Sequence, residues 1–191
     1  GVFIKLSTRS PKDIAGNFSS KGETAQELRE RHEALHFQSV DDAIAALVSS
    51  KRVRQDLAWA VSMPDRIKMP AICCRAWRND LEPENQFRLV VVGGIPTAGV
   101  QTHITCKISK KIVELAHDRI LRFWERELRG RIGAEHYTAD LFISSRGEAN
   151  DLLIEINPPP PISIVPFFKW SDFNDRKILL HGPFSFRSLI E

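Results

Sequence analysis

The stretches that decide the fold of this chain are Tyr137-Thr-Ala-Asp-Leu-Phe-Ile143 and Leu152-Leu-Ile-Glu-Ile-Asn-Pro158. Both have the composition of β-strands, and residues 144–151 between them, Ser-Ser-Arg-Gly-Glu-Ala-Asn-Asp, are typical of a turn. The sequence therefore predicts an antiparallel hairpin. Because side chains alternate between the faces of a strand, we expect Glu155 and Asn157 on one face, and a suitable register places Asp140 opposite them.

Together, Asp140, Glu155 and Asn157 have the chemistry of a magnesium site. Two carboxylates and an amide oxygen are hard ligands, which Mg²⁺ accepts while it keeps water molecules and substrate phosphates in its coordination shell. The alternative is an ordinary hairpin with three solvated polar side chains. An acidic residue followed by Glu-x-Asn is a short and common pattern, so the pattern alone favours the alternative.

The composition indicates one soluble domain. The chain has 191 residues, 42% of them apolar, which suffices for one substantial core. No apolar run approaches the ~20 residues of a membrane-spanning helix. The spacing of Cys73, Cys74 and Cys106 matches neither a zinc site nor a disulfide framework, which favours a reducing, cytoplasmic compartment. A net charge of +3 is too small to indicate nucleic-acid binding, so we expect the basic clusters Lys107–Lys111 and Arg126–Arg131 to be solvated faces.

Two helices are predicted before the middle of the chain. The first, residues 25–37, is a weakly amphipathic surface helix, and its His32 and His36 are expected to be solvated rather than to bind a metal. The second begins at Ser39 with a capping box and ends near Val48. Its inward residues are expected to be Val40, Ile44, Leu47 and Val48.

The clearest helix runs from about Ser109 to Leu128, and Gly130 is a natural stop. Apolar residues follow a period of 3.6 along it, which predicts one buried face. The residues expected on that face are Ile112, Leu115, Ala116, Ile120, Phe123 and Trp124.

Three further segments predict strands and a second hairpin. Residues 72–77 and 86–92 have strand composition, and a Gly93-Gly94 turn precedes a strand around Gln101. Arg88 lies just before a continuous apolar run, so its side chain is expected to enter a pocket or to pair with an acid such as Glu155.

The chain opens with a strand, Gly1-Val-Phe-Ile-Lys-Leu-Ser-Thr-Arg-Ser-Pro-Lys-Asp13, that carries a lysine in an apolar run. Burying Lys5 is costly unless an anion meets its ammonium group, and a nucleotide phosphate would be such an anion. An alternating strand with Lys5 facing water is an equally good interpretation. The turn that follows adds hydroxyl and cationic donors, namely Ser7, Thr8, Arg9, Ser10 and Lys12.

The order of these motifs resembles the cell-division-cycle protein 123 family, a eukaryotic family with an ATP-grasp fold. The resemblance extends from Gly1 to about Phe186. The matching stretches are Phe3-Ile-Lys-Leu6, Ser10-Pro-Lys-Asp13, Arg75-Ala-Trp77, Gln86-Phe-Arg88, Asp140, Ile154-Glu-Ile-Asn-Pro158 and Phe168-Lys-Trp170. The chain departs from the family at Ser7-Thr8, at Gln86, where the family has an acid, and at Gln101-Thr-His103, where the family has Asp and Tyr nearby.

The resemblance implies an α+β, ATP-grasp fold with two lobes of mainly antiparallel sheet and helices around a nucleotide cleft. The lobes would be about residues 1–74 and 75–191 of a single domain. The start at Gly1, directly on a strand and without Met, indicates that an N-terminal part is missing. By resemblance, ATP is bound by Lys5, Ser7, Thr8, Ser10, Lys12, Arg75, Ala76, Trp77 and Arg88, and Mg²⁺ by Asp140, Glu155 and Asn157.

Three functions are compatible with these residues. By resemblance, the first is an ATP-binding chaperone that promotes assembly of eukaryotic translation initiation factor 2 through its gamma subunit, without established turnover of ATP. The second is an ATP-grasp ligase that couples a carboxylate to an amine through an acyl phosphate. The third is a degenerate interaction module that binds no nucleotide. The first two share every nucleotide-binding residue, and the resemblance favours the chaperone.

Overall fold

The computed structural model describes residues 1–16 and 24–190, and the chain divides into two compact units, Gly1–Asn79 and Asp80–Glu191. The strands are β1 (Val2–Leu6), β2 (Ile72–Ala76), β3 (Gln86–Val92), β4 (Ile95–Gln101), β5 (Tyr137–Phe142), β6 (Leu152–Asn157) and β7 (Ser185–Arg187). The α-helices are α1 (Ala25–Glu33), α2 (Val40–Ser49), α3 (Lys51–Ser62), α4 (Lys110–Phe123) and α5 (Phe173–His181). Within the described residues, no helix is both long enough and apolar enough to cross a bilayer.

The first unit contains a two-stranded antiparallel sheet and three helices. Strands β1 and β2 pair from Val2 opposite Ala76 to Leu6 opposite Ile72. Strand β1, helices α2 and α3 and the segment after α1 contribute to a small apolar core, which consists of Ile4, Leu6, Leu35, Phe37, Ala43, Ala46, Leu47 and Val53. Alternation along β1 therefore directs Ile4 and Leu6 to the core, and Lys5 to the opposite face of the sheet.

Helix α1 ends four residues before the predicted end of the helix. A capping box of Thr24 and Glu27 begins it, and Ala34 is its C-terminal cap. The chain then turns toward β1, where the main chains of Phe37 and Val2 exchange two hydrogen bonds of 2.9 Å. The prediction of a helix to Phe37 was wrong because this pairing with β1 replaces the last helical turn.

The buried face of α2 also differs from the predicted one. Ala43, Ala46 and Leu47 are buried, so only Leu47 was predicted correctly. The other residues expected to face inward are Val40, Ile44 and Val48, which are 72%, 49% and 64% exposed. The two alanines explain the difference, because small side chains allow a helix to approach its neighbours closely.

Helix α3 was not predicted, and its N-terminus is held by two polar side chains. The Ser50 hydroxyl accepts a hydrogen bond from Val53 N and donates one to Asp13 at 2.5 Å. The Asp13 carboxylate also accepts from Lys51 N at 2.8 Å. A carboxylate at a helix N-terminus compensates the unpaired N–H groups and the helix dipole. This N-terminus is therefore already occupied by an anionic side chain.

The second unit is built on a five-stranded sheet with the order β6-β5-β3-β4-β7. All neighbouring strands are antiparallel except β4 and β7, which are parallel. Gly93 and Gly94 connect β3 to β4 with φ angles of 62° and 71°, as a two-residue type I′ hairpin turn requires. Both predicted hairpins, β3–β4 and β5–β6, are confirmed, and the fold is α+β as predicted.

One face of this sheet packs against α4 and forms the main core of the unit. The core consists of Phe87, Leu89, Val91, Ile108, Ala116, Ile120, Phe123, Leu128, Tyr137, Ala139, Leu141 and Ile143. Helix α4 continues into a π-helical turn over Trp124–Leu128, so the predicted helix is confirmed. Trp124 packs against the core as expected, whereas Leu115 is 40% exposed and was predicted wrongly.

The other face of the sheet carries a smaller apolar cluster and a polar region. The apolar cluster contains Val90, Ala98, Val100, Val165, Phe168 and Leu179, which come from β3, β4, α5 and the segment that precedes α5.

Strand β7 comes close to β4 at Gly99, where a Cβ atom would lie 2.8 Å from ring atoms of Phe184 and of Phe186. The absence of a side chain at Gly99 therefore permits this contact.

Candidate metal site

The pairing of β5 with β6 determines which side chains share the polar region. Asp140 lies opposite Glu155, but a β-bulge follows, and Leu141 lies opposite Leu153. In a regular strand Leu153 and Glu155 would point to the same face. The bulge instead lets Leu153 pack on the core beside α4, while Glu155 faces away from that core.

Asp140, Glu155 and Asn157 come together on this face, as the sequence predicted. The Asn157 amide nitrogen donates to Asp140 Oδ2 at 3.2 Å and to Glu155 Oε1 at 3.4 Å. Asp140 is buried, and the other two residues are half-buried. The amide group therefore lies between two carboxylates in a place that is largely shielded from water.

Arg88 is the fourth member of the cluster, and it lies opposite Asp140 in the pairing of β3 with β5. Its Nε and Nη2 atoms donate to the two oxygens of Asp140 at 2.6 and 2.7 Å, and Nη1 donates to the Ile164 carbonyl at 2.5 Å. The expected pairing of Arg88 with an acid is confirmed. Asp140 is its bidentate partner, because the register places Asp140 directly opposite Arg88, and the charge of Glu155 also acts on the arginine.

The electrostatics of the cluster stabilise the charged arginine. Burial acts to lower the pKa of Arg88, but the hydrogen bonds and charge of Asp140, together with the charge of Glu155, outweigh it and raise the pKa. With two carboxylates and one guanidinium, the cluster has a formal charge of −1.

The donor set fits a magnesium ion that completes its coordination with water and phosphate oxygens. Within the described residues, no group of three or more His, Cys, Asp or Glu side chains has the arrangement of a metal site. Mg²⁺ needs only one or two carboxylates, with water and phosphate oxygens as the other ligands. The Asn157 nitrogen points to both carboxylates, and a 180° rotation of the amide would present Oδ1 in its place. Two carboxylates and one amide oxygen are thus brought together, and the Asp140 carboxylate is bound by Arg88.

The residues predicted to bind phosphate belong to the first unit, apart from Arg88. Lys5 on β1 lies opposite Cys73 and is only 8% exposed. The interpretation in which Lys5 faces water is therefore wrong. A buried ammonium group requires anionic or polar partners, and the role of Lys5 with phosphate stays a prediction.

The turn after β1 is held by contacts within the first unit. The Ser7 hydroxyl accepts a hydrogen bond from Ala71 N at 3.1 Å. Arg9 Nε lies 3.3 Å from Asp56 Oδ1, so this arginine pairs with a buried carboxylate of α3. These contacts fix the turn to the residue that precedes β2 and to α3.

The remaining predicted ligand residues of this unit differ in exposure. Thr8, Lys12, Arg75 and Ala76 are exposed, whereas Ser10 is buried. The first four are accessible to solvent, while burial of Ser10 indicates a structural contribution to the turn. Their roles toward ATP stay predictions.

Trp77 is part of an aromatic stack that the sequence did not reveal. His36 stacks on it with ring centroids 4.4 Å apart and planes 5° apart, and His32 lies at 4.4 Å with a tilt of 37°. The His36 side chain is 16% exposed, and its Nδ1 lies 3.0 Å from Glu33 Oε1. The expectation of solvated histidines was wrong, because the chain turns after α1 and packs them against Trp77.

A buried ion pair supports the hairpin that carries the candidate ligands, and sequence reasoning missed it. Arg119 on α4 donates to both carboxylate oxygens of Asp151, and to the Ser144 carbonyl at 2.7 Å. Asp151 in turn accepts from Ser144 N at 2.7 Å. The pair therefore ties the β5–β6 connection to α4. The available signal was the position of Arg119 directly before Ile120, on the apolar face of a clearly periodic helix.

The basic cluster of residues 126–131 is solvated, as expected, and its arginines pair with acids. Arg126 lies 2.7 Å from Glu127, and Arg129 lies 2.6 Å from Glu125. Arg131 lies 3.1 Å from Glu127. These arginine side chains are 48–65% exposed, so the cluster is a network of surface ion pairs.

The two-stranded antiparallel sheet with helices, the five-stranded sheet and its polar face define an α+β protein with an ATP-grasp-like fold. Two solved structures share this fold, namely Cdc123 from Schizosaccharomyces pombe and a C-terminally truncated form of it. Each has a TM-score of 0.66 and 19% sequence identity, and the match covers 100% of this chain and 72% of the other. The chain belongs to the D123 family, whose model matches residues 1–189. No curated protein matches the chain.

Proposed function

We propose that this chain is an ATP- and Mg²⁺-binding assembly chaperone for the gamma subunit of eukaryotic translation initiation factor 2. The observation that carries the proposal is the meeting of Asp140, Glu155 and Asn157 on one sheet face in a chain of the D123 family. Their oxygens are the ligands that a Mg²⁺ ion with bound phosphates takes.

In this proposal, different residues of the chain would bind the cation, the phosphates and the adenine of ATP. Asp140, Glu155 and the Asn157 amide oxygen would hold the cation, which when bound offsets the repulsion between phosphates and carboxylates. Positive charge for the phosphates would come from Lys5 and Arg88. The other proposed contacts are the hydroxyl and cationic groups of Ser7, Thr8, Ser10 and Lys12, and the Arg75-Ala76-Trp77 stretch along the adenine.

In this proposal ATP controls the affinity for the partner and is not consumed. The residues above account for a nucleotide, and the other described residues, within 1–16 and 24–190, offer no evident set of side chains to orient an acceptor for attack on a phosphoryl group. Bound ATP would favour one conformation of the chain, and the gamma subunit would bind that conformation better. By linkage, the gamma subunit must then increase the affinity for ATP by the same factor.

Isothermal titration calorimetry of ATP, with Mg²⁺ and with EDTA, tests the cation ligands. Glu155→Gln removes a proposed ligand charge, and we expect it to weaken Mg²⁺-dependent ATP binding at least about tenfold, or about 1.4 kcal/mol. Glu148→Gln is the matched control, because Glu148 lies on the same β5–β6 connection but pairs with Arg122. Equal affinities of the two variants and the unaltered protein would exclude Glu155 as a ligand.

A binding assay with the purified gamma subunit tests the partner. We expect capture of the gamma subunit that depends on ATP and Mg²⁺ and is reduced by Glu155→Gln but not by Glu148→Gln. Release of phosphate in the presence of a small carboxylate and an amine, without capture of the gamma subunit, would instead favour a ligase. Absence of ATP binding under all conditions would leave an interaction module.

A further inference from the structure

Arg88 links the candidate metal site to the segment before α5. Two of its nitrogens are bound to Asp140, and the third is bound to the main-chain carbonyl of Ile164. The guanidinium side chain is 16% exposed. Because the group is planar and rigid, it cannot turn away from Asp140 and keep the same bond to Ile164.

The segment that receives this bond, residues 164–170, is otherwise anchored by contacts that do not involve the candidate metal ligands. Val165 and Phe168 are buried in the apolar cluster on the same sheet face. Arg187 donates to the Phe167 carbonyl at 2.8 Å, and its guanidinium carbon lies 3.8 Å from the centre of the Phe168 ring. Of the two arginines that hold this segment, Arg88 is therefore the one that also contacts a candidate ligand.

The bidentate contact places Arg88 in competition with a cation. Both oxygens of Asp140 accept hydrogen bonds from Arg88, so a metal ion at either oxygen would lie next to a largely buried guanidinium. Two neighbouring positive charges repel each other strongly in a partly buried place, where water screens them poorly. Asp140 is thus a poor cation ligand as long as Arg88 holds it and no phosphate group is near.

We propose that Arg88 prevents a cation from binding at the site without nucleotide, and that it couples occupation of the site to the conformation of residues 164–170. This inference rests on the proposed function. When nucleotide is present, Arg88 turns from Asp140 to a phosphate group, so the cation and the nucleotide bind together. The same movement breaks the bond to the Ile164 carbonyl and loosens the segment. By linkage, a looser segment must favour cation binding.

Electron paramagnetic resonance measures the affinity for Mn²⁺ with and without ATP. It tests the proposal because Arg88→Gln should change these two affinities in opposite directions. We expect Arg88→Gln to bind Mn²⁺ alone about tenfold more tightly than the unaltered protein, because Asp140 is released and a neighbouring positive charge is removed. The same variant should bind Mn²⁺ with ATP more weakly, because the guanidinium group that would contact the phosphate is absent. Arg129→Gln, which removes an exposed arginine of the same unit, is the control and should change neither affinity.

Val165→Ala and hydrogen exchange give a second test that does not touch the site. Val165 is buried and lies next to Ile164. We expect Val165→Ala to bind Mn²⁺ alone a few-fold more tightly, and Mn²⁺ with ATP to increase exchange of the 164–168 amides in the unaltered protein.

Three results separate failure of this proposal from failure of the proposed function. A folded Arg88→Gln that binds Mn²⁺ alone no better than the unaltered protein would overturn the role of Arg88. If Arg88→Gln does not fold, an unchanged Mn²⁺ affinity of Val165→Ala would overturn it. If the unaltered protein does not bind Mn²⁺ with ATP at all, the proposed function itself fails.

Discussion

Replacing Arg119 with Met is expected to destabilise the protein strongly, because it leaves a buried carboxylate without its cation. The side chains of Arg119 and Asp151 are 3% and 1% exposed, and the arginine donates to both carboxylate oxygens. Removing one partner of a buried ion pair costs about 3–5 kcal/mol. A chain of this size loses about 2–4 °C of Tm per kcal/mol, so the expected fall in Tm is about 6–20 °C.

Urea denaturation followed by circular dichroism measures this loss as a change in the free energy of unfolding. The double variant Arg119→Met, Asp151→Leu should recover part of the stability, because no lone charge remains buried. Recovery should be incomplete, since the N–H and carbonyl of Ser144 lose their side-chain partners. The control Arg129→Met removes an exposed partner of Glu125, 61% and 56% exposed, and should cost less than about 0.5 kcal/mol.

Two outcomes would refute this reasoning at different steps. If Arg119→Met is no more destabilising than Arg129→Met, the buried ion pair does not stabilise the unit. If the double variant is as unstable as Arg119→Met, the loss comes from the missing contacts to Ser144 and not from the unpaired Asp151. The second outcome would make the link between α4 and the β5–β6 connection a matter of hydrogen bonding alone.

Two further predictions concern other parts of the chain. Main-chain hydrogen bonding from Lys169, with the hydrogen bond and charge of Arg187, lowers the pKa of Asp175. The ionised Asp175 side chain therefore stabilises the folded state above the unfolded pKa of about 4, and this stabilisation is lost as pH falls below it. The stability difference between the unaltered protein and Asp175→Asn should therefore narrow below about pH 4, and a constant difference from pH 7 to 3 would contradict this. In α2, Leu47→Ala should cost about 2–4 kcal/mol, whereas Ile44→Ala should change stability by less than about 0.5 kcal/mol. Equal losses in urea denaturation would show that the buried face of α2 is not the one described.

The strands and hairpins could be predicted because their signals are local. Gly93-Gly94 supplies the two positive φ angles that a tight hairpin needs, and the apolar runs on either side supply the strands. The α+β class follows from such segments alternating with the clear period of α4. The parallel addition of β7 to β4 could not be predicted, since it depends on a contact of β7 with Gly99, far away in the sequence.

The helices of the first unit show where a hydrophobic pattern misleads. The pattern in α2 favours its large residues, but the neighbours of this helix bury Ala43 and Ala46 and leave Ile44 exposed. Helix α3 has polar and basic residues in its first turn and gave no clear period. Its start depends on Asp13, which reaches Ser50 across 37 positions of sequence. Caps formed by distant residues carry no local signal.

The ligand cluster was predicted from chemistry, but its surroundings were not. Acidic and amide side chains at alternating strand positions are visible in the sequence, and the register confirms that Asp140 lies opposite Glu155. The ion-pair partner of Arg88 could not be predicted from the sequence, because it depends on the order of the strands in the sheet. The placement of β3 beside β5 puts Arg88 directly opposite Asp140.

The bulge after Asp140 explains how one strand serves both a core and a polar site. Strict alternation would put Leu153 on the same face as Glu155, so either an apolar residue would enter the polar face or a carboxylate would enter the core. The extra residue in β6 changes the alternation between these two positions, and Leu153 joins the core beside α4. Because burying an unpaired carboxylate costs far more than bending a strand, the sequence of β6 is compatible with this fold only when it contains the bulge. The position of the candidate ligands is therefore a consequence of core packing on the opposite face of the sheet.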